Sequence, residues 1–72
     1  MSLTDIKALV AEALQVDASV LSDDLRIGGI DAWDSLAHMR LLTAIEERLG
    51  KPLDAETAAG IESLRDIERV LG

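Results

Sequence analysis

Seventy-two residues make one small domain, and an apolar content of 49%, nearly all of it aliphatic, suits a packed helical core rather than a disordered tail. A net charge of −7 disfavours non-specific binding to nucleic acid or to anionic membranes, which needs clustered Lys and Arg, and favours partners with basic patches. With no cysteine there is no disulfide and no Cys-based metal site, and with no membrane-length apolar run or signal peptide the chain reads as cytoplasmic, without membrane insertion.

Ser2-Leu3-Thr4-Asp5 forms an acidic capping box. Ile6, Leu9, Val10, Ala13 and Leu14 then recur at helical spacing, which predicts a first helix from about residue 3 to 15 or 16. Asp17 to Asp34 is a long acidic connection, punctuated by Ser19, Ser22, Gly28 and Gly29. Its scattered Val20, Leu21, Leu25, Ile27 and Ile30 are expected to pin it across the end of the bundle, with a helical turn over Asp23 to Arg26. It is not a calcium loop. Counted from Asp17, Leu21 stands where a ligand belongs, and counted from Asp23, Leu25 and Ile27 do.

The second helix is predicted from Ser35 to Leu49, with Gly50 as its stop. At 100° per residue, His38, Leu41, Leu42, Ile45 and Leu49 fall on a core stripe. Leu36, Met39, Arg40, Thr43, Glu46 and Glu47 fall on the outer face, which carries two apolar residues close to Ser35. Pro52 breaks the chain, Asp54 caps a short third helix over 55–60, and Ser63 with Asp66 forms a capping box for a fourth over 64–71. The pattern predicts an all-α fold, a small four-helix bundle with a long loop between helices one and two and a short third helix.

The chemistry centres on Trp33-Asp34-Ser35-Leu36. Asp34 is a good N-cap, which places Ser35 at the first helical position with its hydroxyl outward. A negatively charged group esterified there would face unpaired amides and the positive end of the helix dipole. Trp33 is placed to staple against His38, the fourth helical residue. A Ser35–His38 hydrolytic dyad is disfavoured. No Gly-x-Ser-x-Gly elbow exposes the serine, and Asp34 adjoins Ser35 instead of lying behind the imidazole. An unmodified interaction module that uses Leu36 and Met39 as a helix-face anchor is the alternative to attachment.

Asp34-Ser35-Leu36, followed by an amphipathic helix ending Ala44-Ile45-Glu46-Glu47-Arg48-Leu49-Gly50, resembles the acyl carrier protein family, and the likeness extends over essentially the whole chain. The resemblance implies a bundle of the acyl-carrier type without enzyme activity or metal. It implies that Ser35, flanked by Asp34 and Leu36, carries a covalent 4′-phosphopantetheine arm derived from coenzyme A, whose thiol holds an acyl, aminoacyl or polyketide intermediate. The partners implied are a phosphopantetheinyl transferase, an acyl- or aminoacyl-loading ligase or synthase, and downstream enzymes of fatty acid or secondary-metabolite biosynthesis, served by a monomer. Because the family docks partners on its second helix, Leu36, Met39, Arg40, Thr43 and Glu47 are the expected docking residues. Arg40 departs from the family, where a Glu is common. With Gly28-Gly29 and Trp33, it resembles specialised stand-alone carriers more than the housekeeping one.

Overall fold

The computed structural model describes residues 2–72, which form four α-helices and no strand beyond an isolated bridge. Helix α1 spans Leu3–Leu14, α2 Ser35–Leu49, α3 Ala55–Ala59 and α4 Leu64–Leu71, and a 3-10 turn lies at Ala18–Val20. No helix among the described residues is long and apolar enough to cross a membrane.

Side-chain chemistry sets each start. Ser2 Oγ accepts from the Asp5 amide, and Asp5 accepts in return from the Ser2 amide, which closes the capping box of α1. Asp34 and Asp54 cap α2 and α3 through the amides of Ala37 and Thr57. Helix α1 ends at Leu14, earlier than the apolar spacing predicts, because Gln15 turns left-handed (φ 59°) and its amide returns to the carbonyls of Ala11 and Glu12. Gly50 ends α2 at φ 74°, a conformation glycine adopts without the steric cost of a Cβ.

The core is built from Ile6, Val10 and Leu14 of α1, Ala37, Leu41 and Ile45 of α2, Leu64 and Ile67 of α4, and Leu21, Leu25, Trp33 and Ile61 from the connections. On α2, Leu41 and Ile45 are fully buried, while Leu42 and Leu49 pack only partly against the core. The sequence stripe omits Ala37, a small residue that lets the neighbouring elements approach α2 closely.

The long connection is pinned less evenly than its apolar residues suggest. Leu21 and Leu25 are buried, whereas Val20 and Ile27 are exposed. The expected helical turn over Asp23 to Arg26 does not form. A tight turn closes instead from the Leu25 amide to the Ser22 carbonyl at 3.1 Å, and Arg26 enters an antiparallel bridge with Ser63. The Ile27 amide donates to Glu62 (2.8 Å) and the Leu64 amide to Leu25 (3.1 Å), and Arg26 pairs with Glu62. Lys7 holds the loop to α1 through Asp23. These non-local bonds fasten the loop to the α3–α4 connection, so the segment leading to Ser35 has a fixed course.

Candidate functional site

The last part of the loop delivers the start of α2. Gly28, at φ 83°, donates its amide to the Trp33 carbonyl at 2.9 Å, so residues 28–33 form a closed loop whose ends meet. Trp33 then turns inward and is fully buried. The expected staple forms and goes further, because the indole is a core residue. It stacks on His38 with ring centroids 6.1 Å apart, and its Nε1–H donates to His38 Nδ1 at 3.0 Å.

That bond assigns the imidazole tautomer. Nδ1 is the acceptor, so the neutral ring carries its proton on Nε2. Burial holds the His38 pKa below the usual histidine range, and the Ile61 carbonyl works in the opposite direction. The one available lone pair of the neutral imidazole is therefore taken by the indole, and none is left to take a proton from Ser35. The hydrolytic reading has no base.

Ser35 itself is exposed at the first position of α2. Asp34 Oδ1 accepts from the Ala37 amide at 2.8 Å and the Asp34 carbonyl from the His38 amide at 2.9 Å. The amides of Ser35 and Leu36 find no partner among the described residues. The site is thus an exposed hydroxyl beside two free N–H groups at the positive end of a fifteen-residue helix.

Along the outer face, Leu36 and Met39 are 64% and 63% exposed, and Arg40, Thr43 and Glu47 are exposed with them. Glu46 is the exception. It is half-buried, and its Oε2 accepts from the Leu53 amide at 2.8 Å, which ties the end of α2 to the segment before α3. A helical projection cannot see that reach, because the partner lies beyond the glycine stop. Ile61 was also missed. It stands alone between two short helices, where no periodicity marks it, yet it is buried in the core.

A family model described as the phosphopantetheine attachment site matches residues 4–71. The acyl carrier protein of Treponema pallidum (strain Nichols) is 38% identical over 61 residues, covering 85% of this chain and 78% of that protein. The acyl carrier protein of Helicobacter pylori (strain G27) is 31% identical over 67 residues, covering 93% and 86%. The family match runs across all four helices and the loop that joins the first two. The chain therefore belongs to the acyl carrier protein family, whose phosphopantetheine attachment domain carries covalent 4′-phosphopantetheine and whose members are carriers rather than enzymes.

Proposed function

We propose that Ser35 is the attachment residue and that α2 presents the arm and its cargo to partner enzymes. One observation carries the reading: Ser35 has an exposed hydroxyl one residue past a satisfied cap, beside two unpaired amides. Those groups fit a phosphodiester, whose negative charge is stabilised at a helix N-terminus. On modification by a phosphopantetheinyl transferase, the Ser35 hydroxyl loses its proton and forms the ester, and adenosine 3′,5′-bisphosphate leaves coenzyme A. The arm supplies a thiol that holds the acyl group as a thioester. The chain's own residues orient and expose that group. Asp34 fixes the first turn, and Trp33 and His38 anchor it from below.

Leu36, Met39, Arg40, Thr43 and Glu47 form the surface that a transferase, a loading ligase or synthase and downstream enzymes would meet. Two apolar contacts stand beside mixed charge, a pattern suited to a small docking anchor with a polar rim. A specialised stand-alone role is supported by Arg40, which makes this face less acidic than the net charge of −7 suggests. The test is an intact-mass spectrum after incubation with a phosphopantetheinyl transferase and coenzyme A. A gain of one phosphopantetheine is expected, and an unchanged mass would leave only the unmodified interaction module.

A further inference from the structure

The core beneath Ser35 bears on which acyl groups this carrier holds, and the inference rests on the reading of Ser35 just given. Trp33 stands two residues before Ser35 and is fully buried. Its one polar side-chain atom donates to His38 Nδ1 at 3.0 Å, and the His38 ring is half-buried beside it. The pair lies beneath the start of α2, and Trp33 shares one buried core with Ile61 and Leu64.

An alkyl chain entering the bundle below the start of α2 would have to displace this hydrogen-bonded pair. Admitting the chain would strip the indole N–H of its acceptor in an apolar interior. Unpaired buried donors are costly, and that cost opposes the gain from burying methylenes. On the α1 side, a cleft of about 410 Å³ offers no better path. It begins at Arg40, more than a turn beyond Ser35, and Glu12, Glu47 and Arg48 share its lining. Four charged side chains make a poor bed for an aliphatic tail.

We propose that Trp33, held by His38, plugs the bundle below Ser35 and restricts this carrier to acyl groups too short or too polar to gain from burial, which stay in solvent. The probes are acetyl- and octanoyl-coenzyme A, transferred onto the full chain by a phosphopantetheinyl transferase, with loading read by intact mass. Failure of both to load overturns the reading of Ser35, and the present proposal with it. Once both load, the proposal stands or falls separately.

In the unsubstituted protein, octanoyl and acetyl forms are expected to share one unfolding temperature, one Trp33 emission maximum and one rate of thioester cleavage by hydroxylamine. In Trp33→Ala, the octanoyl form alone is expected to unfold about 4 °C or more higher and to resist hydroxylamine. A shifted Trp33 emission, a raised unfolding temperature or slowed cleavage in the unsubstituted octanoyl form would overturn the proposal. An octanoyl chain without effect in a folded Trp33→Ala protein would do the same. If that variant does not fold, the emission and cleavage comparison in the unsubstituted protein decides the matter alone.

Discussion

Helices α2 and α4 both begin beside a serine, and their first turns differ in what becomes of it. At α4, Ser63 is the cap: its Oγ accepts from the Asp66 amide at 3.2 Å, backbone bonds close around it, and it is 6% exposed. Asp66 completes the turn differently from the capping box its spacing predicts. Its carboxylate accepts from the amide of Glu62, one residue before the cap. At α2 the cap is Asp34, so Ser35 lies one position further on, where its hydroxyl has no structural duty. The same offset moves the leucines. Leu64, the first residue of α4, is fully buried, whereas Leu36, the second of α2, is 64% exposed. One residue of phase between serine and cap separates a closed helix start from an open one.

The largest effect that sharpens this comparison is on the leucines. Leu64→Ala should destabilise the fold by about 2–5 kcal/mol, as a truncation in a packed core. Leu36→Ala should stay within about 0.5 kcal/mol, as a surface change. Urea unfolding of both variants checks this, and equal losses would mean that the α2 start is as closed as that of α4.

The caps come next. Asp34→Ala and Ser63→Ala should each cost about 0.5–2 kcal/mol, the usual range for an N-cap. Only Asp34→Ala should also slow phosphopantetheinylation, because only that turn holds the serine proposed for modification. Equal modification rates in the two variants would reduce Asp34 to a cap like any other.

A pH effect separates the same two ends. His38 beneath α2 resists protonation because it is buried, so its unfolded form takes up a proton first as pH falls below 6.5. Stability is therefore expected to decline from that point downward, and the indole loses its acceptor as the folded form protonates. Asp66 at α4, with Asp5, Asp17, Asp23 and Asp54, is held below the usual carboxylate value of 3.8 mainly by accepting backbone or side-chain hydrogen bonds. Folded-state pKa values that lie below the unfolded ones give stability that is present above pH 3.8 and lost further down. Urea midpoints across pH should show two declines, and His38→Gln should remove the first alone.

The smallest effect on stability concerns Met39. Met39→Ala should leave the unfolding midpoint within about 0.5 kcal/mol of its starting value, yet weaken loading by the cognate enzyme. A loading rate unaffected by Met39→Ala would remove it from the docking surface.

Much of this contrast was legible before any coordinates. Asp34 and Gly50 bracket α2 because a cap and a left-handed stop are local chemistry, and Ser35 follows from the cap by counting. What stayed hidden is non-local. The bridge between Arg26 and Ser63 joins segments 37 positions apart, and no spacing rule links them. Ala37 is buried because its neighbours approach it, a property of packing and not of hydropathy. The Glu46 carboxylate looks like surface charge until the chain folds back to place the Leu53 amide against it. His38 falls on the core stripe, and the structure makes it the hydrogen-bond acceptor of the buried Trp33 indole.

The open start of α2 is tested most directly by locating the modification. The chain offers serines at 2, 19, 22, 35 and 63. After incubation with a phosphopantetheinyl transferase and coenzyme A, fragmentation mass spectrometry should place the arm on Ser35 alone, and Ser35→Ala should keep its unmodified mass while Ser63→Ala gains the full increment. An arm found on Ser63, or on any serine in a Ser35→Ala protein, would contradict the account.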